Sequence, residues 1–96
     1  MKDEFYIGQA YGLIVKETGV DLPAGAKANG QFKPMQLFVQ LLNKSIDAGK
    51  YTMDLQDRIA EIMENVDSNY YAGKIASFEE QTAFTNGKYQ AMKVRL

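Results

Sequence analysis

The sequence predicts an all-α protein, a small four-helix bundle. Four segments carry apolar residues at helical spacing, and both prolines and most glycines fall at or between the segment ends. No segment shows the apolar-polar alternation of a half-buried strand. A chain of 96 residues is about the size of one domain, so residues 1–96 are expected to share one hydrophobic core.

The first predicted helix runs from about residue 4 to residue 17. Asp3 is a plausible N-cap, and Gly19 suits the left-handed position that follows a helix end. The apolar residues fall on one side at helical spacing: Ile7, Ala10, Tyr11, Ile14 and Val15. Inside the helix, Gly8 and Gly12 each cost about 1 kcal/mol relative to alanine. This pair indicates either a close approach of a second helix or two surface positions.

Residues 18–33 are predicted to form a long loop, because Pro23, Gly25 and Gly30 interrupt any helical period. Long loops in small domains often carry binding residues. Lys27 and Lys33 could lie along a phosphate backbone, but the glycines lack the Gly-Lys-Ser/Thr ending of a P-loop. We therefore do not expect a nucleotide-binding loop here.

The second predicted helix spans residues 34–48, and the third spans residues 53–67. Pro34 suits a first helical turn, Gly49 ends the second helix, and Thr52 is the N-cap of the third. Both helices have an apolar arc, formed by Leu37, Phe38, Leu41, Leu42 and Ile46 in the second and by Leu55, Ile59, Ile62, Met63 and Val66 in the third. Their short link predicts antiparallel packing of the two helices.

The fourth predicted helix spans residues 78–93 and opens with a capping box formed by Ser77 and Glu80. Its apolar residues are spread more widely than one stripe, so the helix is expected to contact neighbours on two sides or a partner. These residues are Phe78, Phe84, Tyr89, Ala91 and Met92. In the preceding loop, Tyr70 and Tyr71 either face outward, as interface and base-stacking tyrosines do, or cover the end of the bundle.

Composition argues against an enzyme. The sequence has no cysteine and no histidine, so it lacks a thiol nucleophile, an imidazole base and the usual ligands of zinc. Asp57, Glu61 and Glu64 lie on the outer side of the third helix and are interpreted as a solvated face. Acid-base chemistry by Asp57 and Glu61 is the alternative. We expect no catalytic residue, no metal and no cofactor.

The charge distribution is uneven although the net charge is only -1. This near-neutral value argues against nucleic-acid binding by bulk charge alone. The third helix is acidic, whereas the charged residues after Glu80 are Lys88, Lys93 and Arg95. No apolar run reaches the length of a signal peptide or a membrane span, so a cytoplasmic protein without membrane contact is expected.

Several segments are similar to a known family. Residues 59–64, Ile-Ala-Glu-Ile-Met-Glu, and residues 76–81, Ala-Ser-Phe-Glu-Glu-Gln, precede Phe84 and the segment Gly-Lys-Tyr-Gln at 87–90. This series resembles the C-terminal helical domain of the large subunit of type I-C Cascade, the CRISPR surveillance complex. Residues 6–14, Tyr-Ile-Gly-Gln-Ala-Tyr-Gly-Leu-Ile, are similar to the opening helix of that domain.

The resemblance implies a non-catalytic small subunit, because this domain also occurs in the family as a free subunit in several copies. It would stabilise the guide RNA-target DNA duplex and the displaced strand through backbone contacts, which read no bases. The implied partners are other Cascade subunits, further copies of the chain, guide RNA and target DNA, with no small-molecule substrate. The candidate nucleic-acid-binding residues are Lys44, Lys50, Arg58, Lys74, Lys88 and Lys93.

One alternative function stays open at this point. A helical protein-protein adaptor, or a phage-encoded inhibitor that mimics the subunit and docks on such a complex, also suits the near-neutral charge and the six tyrosines.

Overall fold

The fold is built around its first helix. In the computed structural model, which describes residues 1–93, the chain forms the helices α1 Asp3–Thr18, α2 Ala24–Gly30, α3 Pro34–Asp47, α4 Met53–Met63 and α5 Phe78–Lys93. Helices α3, α4 and α5 all pack against α1, and α2 packs against α3. No strand occurs in the described range, so the predicted all-α class is confirmed.

Helix α1 is central because it is buried around its whole circumference. The five consecutive residues 10–14 are all buried, and Ile7 is fully buried one turn earlier. A helix that is buried on every side belongs in the core and needs neighbours all round. The expectation of one buried side on α1 is therefore too narrow.

Glycines bring α1 and α5 into backbone contact. A Cβ atom at Gly8 would overlap the carbonyl oxygen of Phe84, and one at Gly12 would also overlap the backbone of α5. Gly87 has the reciprocal role, because a Cβ there would overlap the carbonyl oxygen of Phe5. The close-approach interpretation of Gly8 and Gly12 is confirmed, and the surface interpretation is wrong.

The segment 18–33 contains α2, which corrects the prediction of an uninterrupted loop. This helix begins after Pro23, and the main-chain nitrogen of Lys27 donates a 3.0 Å hydrogen bond to the Pro23 carbonyl. Seven residues with two glycines have little intrinsic helical stability. Tertiary contacts hold the segment instead: Leu22 is buried in the core, and the Lys27 ammonium bonds to Asp21.

Helices α3 and α4 contact α1 far more than they contact each other, which corrects the expected antiparallel pair. Each turns its apolar arc toward the central helix, and the buried members are Leu37, Phe38, Leu41, Leu55 and Ile59. At the end of α3 the buried side of the helix no longer coincides with the apolar arc: Ser45 is buried, whereas Ile46 is 49% exposed. The buried Ser45 hydroxyl donates a 2.7 Å hydrogen bond to the Leu42 carbonyl of its own helix.

Helix α4 ends at Met63 and not at the predicted residue 67. Asn65 and Val66 continue the chain in tighter turns, with main-chain bonds of 3.1 and 3.0 Å to the carbonyls of Ile62 and Met63. Val66 still packs against the core. The apolar spacing therefore continues for one turn after regular α-helix has stopped.

The predicted helix caps are confirmed at two of three helix starts. The Thr52 hydroxyl accepts a 3.1 Å bond from the Leu55 nitrogen. Ser77 and Glu80 form the reciprocal capping box, with bonds of 2.8 and 3.2 Å. Asp3 does not cap α1, because it is already the first helical residue. In α5, Phe84 and Ala91 pack inward, whereas Phe78 is 82% exposed.

Candidate functional site

Three lysines meet around Asp21, in the segment between α1 and α2. Lys27 Nζ lies 2.9 Å from Asp21 Oδ2, and Lys44 Nζ donates a 2.8 Å bond to the main-chain oxygen of Asp21. The Tyr11 hydroxyl donates to Asp21 Oδ1 at 2.6 Å, and Lys88 Nζ lies 5.3 Å from the centre of the Tyr11 ring. We call these five residues the Asp21 cluster. The cluster holds three ammonium groups and one carboxylate, so it is positively charged.

A cleft of about 180 Å³ opens beside the cluster, between α1, α2 and α5. Leu37 and Phe84 supply its apolar walls, and its neutral polar residues are Gln31, Gln81 and Thr85. Lys27 and Lys88 line it together with the rings of Tyr11 and Tyr89. No carboxylate is among the described residues that line it, so both lysines face a cleft without negative charge.

Burial and hydrogen bonds fix the charge states of the cluster. Burial raises the pKa of Tyr11 well above its usual value, and its bond to Asp21 adds to the rise, so the hydroxyl stays a donor. Burial opposes ionisation of Asp21, but hydrogen bonds from Tyr11 and Lys27 more than compensate and lower its pKa. Burial lowers the pKa of Lys88 and the nearby charge of Lys27 lowers it further, while the charge of Asp21 offsets part of this shift.

The positive surface continues along the outer side of α5. Tyr89 is 52% exposed, and its ring centre lies 5.6 Å from Lys88 Nζ. The same tyrosine borders a shallow hollow with Asn86, Gln90 and Lys93. Lys93 is exposed on α5. An exposed tyrosine flanked by two lysines offers an aromatic face for a base and cations for the adjoining phosphates.

Of the six residues predicted for nucleic-acid binding, the structure brings Lys44 and Lys88 into the Asp21 cluster and places Lys93 beside it. Lys50 is exposed in the link after α3 and lies outside the cluster. Arg58 lies 3.3 Å from Glu17 and 3.7 Å from Asp54. These two carboxylates engage its guanidinium at the outer side of α1 and α4.

The sixth residue, Lys74, belongs to a second polar network. Its ammonium lies 3.2 Å from Glu4 and 3.1 Å from Glu80. The hydrogen bond to Glu80 is the main cause that raises the pKa of Lys74 above its usual value. Glu4 is only 1% exposed, so Lys74 neutralises a carboxylate inside the fold. This role leaves Lys74 less available to an outside phosphate.

Two residues of these networks were not identified from the sequence. Glu4 lies three and seven positions before Ile7 and Tyr11, so helical spacing alone would have placed it on the buried side of α1. Asp21 gives no such signal, because it lies between helices. Lys27 is a possible phosphate contact by its sequence, but it is not among the six predicted residues.

The acidic side chains of α4 are solvated, as predicted: Asp57, Glu61 and Glu64 are all exposed. Among residues 1–93, no group of three or more Asp, Glu, His or Cys side chains is arranged to hold a metal ion. None of the helices in this range is long and apolar enough to cross a membrane. Comparison with known proteins finds no matching family model, no matching curated protein and no matching solved structure.

Proposed function

We propose that this protein is a non-catalytic small subunit of a type I CRISPR effector complex, which stabilises the guide RNA-target DNA duplex and the displaced strand through backbone contacts. The observation that carries the proposal is the Asp21 cluster, where the ammonium groups of Lys27, Lys44 and Lys88 outnumber the single carboxylate beside the exposed ring of Tyr89. Such groups neutralise phosphates and position a nucleic acid without reading its bases.

The proposed interface runs from the cluster along α5. It uses Lys44 and Lys88, adds Lys27, and continues to Lys93 past Tyr89. Arg58 and Lys74 are left out, since two carboxylates engage each of them, whereas among the described residues Lys27 pairs with Asp21 alone. Lys27, Lys88 and Tyr89 line one cleft, and Lys93 borders the hollow next to Tyr89, an arrangement that suits contact with several phosphates in succession.

The acidic surface of α4 favours one orientation of the protein relative to the nucleic acid. Asp57, Glu61 and Glu64 are exposed and repel a phosphate backbone. Opposite charge on different helices orients a subunit even when its net charge is only -1. A nucleic acid is thereby attracted to the side of the Asp21 cluster and kept away from α4.

The test replaces Lys44 and Lys93 by glutamine in the complex assembled with guide RNA. Target-DNA binding is measured over a range of salt concentrations. The variant is expected to bind more weakly, with a salt slope that is smaller by about 0.9 for each duplex phosphate that the protein no longer neutralises. A double variant, Lys2→Gln with Lys50→Gln, changes the net charge equally outside the cluster and serves as the control. If both double variants bind like the wild type, or are weakened equally, the proposed interface is wrong.

A second candidate function, docking on a protein, is favoured by one other observation. Tyr71, Ile75 and Phe78 are 65%, 68% and 82% exposed within one short segment. Exposed aromatic and aliphatic side chains close together suit a protein interface. An adaptor or inhibitor that uses them would lose binding to the complex with Phe78→Ser, whereas Lys44→Gln would leave that binding intact.

A further inference from the structure

We propose that the cleft between α1, α2 and α5 binds one phosphate group between the ammonium groups of Lys27 and Lys88. The inference rests on the proposed function in one respect: inside the complex, the bound group would belong to a nucleic-acid backbone. It goes further by naming a discrete site, its two cationic ligands and the chemical class of the group that it accepts.

Lys88 supplies the first argument, because it is a half-buried cation without an anionic partner. Its nearest described interactions are with the faces of Tyr11 and Tyr89, at 5.3 and 5.6 Å. No ion pair of Lys88 occurs among residues 1–93. The more distant charge of Asp21 compensates this half-buried ammonium only in part, and an anion in the cleft would reduce the remaining cost. The lowered pKa of Lys88 agrees with this unsatisfied environment.

Lys27 supplies the second argument, because it is held in position while some of its donors stay unused. One of its three N–H groups bonds to Asp21 Oδ2. The other oxygen of Asp21 is held by the Tyr11 hydroxyl at 2.6 Å and by the Leu22 nitrogen at 2.7 Å. The carboxylate is thus fixed from three sides, and it fixes the ammonium at the wall of the cleft with donors to spare.

The other residues that line the cleft favour a phosphate as the bound group. Gln31, Gln81 and Thr85 can donate hydrogen bonds, and no carboxylate among the described lining residues would repel an anion. A water molecule needs roughly 10 to 15 Å³ of such space, so a cleft of about 180 Å³ admits a phosphate group. The oxygens of a phosphate group point in several directions, whereas a carboxylate is flat. Donors on separate helices therefore suit a phosphate better than a carboxylate. Tyr89 lines the cleft and is 52% exposed, so its ring can stack on an attached base.

The experiment is a calorimetric titration of the full chain at low salt with three probes: inorganic phosphate, adenosine 5′-monophosphate and adenosine. The two phosphates are expected to bind, and adenosine is not. Lys88→Gln should weaken phosphate binding at least tenfold, and Lys88→Arg should restore most of it. Lys2→Gln removes the same charge far from the cleft and should have no effect beyond twofold. Circular dichroism checks that each variant is folded.

The probes also separate the sources of the phosphate group. Binding of the mononucleotide more than tenfold tighter than inorganic phosphate supports a nucleotide source, and equal binding supports recognition of the phosphate group alone. Absence of phosphate binding by the wild type overturns the inference, as does equal weakening by Lys88→Gln and Lys2→Gln. The two proposals can also fail separately. If phosphate binding depends on Lys88 but target-DNA binding is unaffected by the Lys44 and Lys93 changes, the phosphate site in the cleft is supported and the proposed function is overturned.

Discussion

The hydroxyl of Tyr70 donates a 2.8 Å hydrogen bond to the carboxylate of Glu4, which lies 66 positions earlier in the chain. Glu4 is buried on α1, and the same oxygen accepts a 3.2 Å bond from Lys74. Lys74 also reaches Glu80 in the first turn of α5. One buried carboxylate therefore fastens the segment between α4 and α5 to the central helix.

Removing the Tyr70 hydroxyl should destabilise the fold. Tyr70→Phe leaves the buried Glu4 carboxylate with one donor fewer, and a hydrogen bond to a charged group is worth about 1.5 to 3 kcal/mol. We expect the free energy of unfolding, measured by urea denaturation, to fall by that amount. The neighbouring change Tyr71→Phe is the control, since Tyr71 is 65% exposed, and it should stay within about 0.5 kcal/mol of the wild type. Equal effects of the two changes would contradict the prediction.

The two buried tyrosine bonds should make stability fall at alkaline pH. Burial and a neighbouring carboxylate raise the pKa of both Tyr11 and Tyr70 in the folded state above the ordinary value of 10.0. The folded protein then holds these protons more tightly than the unfolded chain. Their contribution is complete below pH 10.0 and is lost as the pH rises above it. The slope can reach about 1.4 kcal/mol per pH unit for each tyrosine.

Urea denaturation at several pH values between neutral and strongly alkaline measures this slope. Tyr70→Phe should reduce it by removing one of the groups whose pKa is raised, and Tyr11→Phe should do the same. A slope that stays unchanged in both variants would show that other groups cause the alkaline loss.

A side chain placed in the contact between α1 and α5 should destabilise the protein, although alanine has a higher helix propensity than glycine. Gly8→Ala introduces a methyl group that overlaps the Phe84 carbonyl, so the helices must separate, at a cost of about 1 to 3 kcal/mol. Thermal denaturation provides the measurement. Gly25→Ala in α2 is the matched control, because no atom lies within 4 Å of its Cβ position, and it should stabilise by about 0.4 to 1 kcal/mol. A stabilised Gly8 variant would disprove the close contact.

Neutralising Asp21 should loosen the cluster. Asp21→Asn removes the charge that orients Lys27 and weakens the bond from Tyr11, so the free energy of unfolding should fall by about 1 to 3 kcal/mol. Hydrogen exchange of the α2 amides should also become faster. Asp57→Asn makes the same chemical change on the exposed side of α4 and should alter neither quantity. Protection of α2 that is identical in both variants would contradict an anchoring role of Asp21.

Local signals explain the parts of the fold that the sequence predicted well. Pro34 at a first helical turn, Thr52 as a cap and the pairing of Ser77 with Glu80 depend on residues within one turn of each other. Gly19 adopts the left-handed φ of 71° after α1 for a similarly local reason. Such features can be recognised from a few adjacent letters.

Long-range contacts explain the parts that the sequence did not predict. Helix α2 is held by Leu22 in the core and by the bond from Lys44 to the main-chain oxygen of Asp21, 23 positions away, and no periodicity in residues 18–33 shows either. The sequence allowed the tyrosine pair to face outward or to cover the end of the bundle, and each residue adopts one of these orientations. Tyr70 turns inward to Glu4, whereas Tyr71 faces outward. Neighbouring positions with the same residue type can be separated only by their tertiary partners.

The candidate site was predicted in part for the same reason. A lysine can be recognised in a sequence, but how far its charge is available depends on which carboxylates of the fold engage it. Lys74 and Lys88 are similar in the sequence, yet one meets Glu4 and Glu80 while the other meets two aromatic faces. That difference depends on where Glu4 and Tyr11 lie on the buried circumference of α1.

The contact between α1 and α5 also constrains how the chain is made. The side chains of Gln9 and Gln90 are hydrogen-bonded at 2.7 Å although they are 81 positions apart. During synthesis, α1 leaves the ribosome first, and its glycine-bearing side has no partner until α5 has emerged. Contacts so distant in sequence slow folding, and uncovered apolar surface invites association with other chains. The nascent protein therefore passes through a stage in which the glycine-bearing side of its central helix is exposed to other chains.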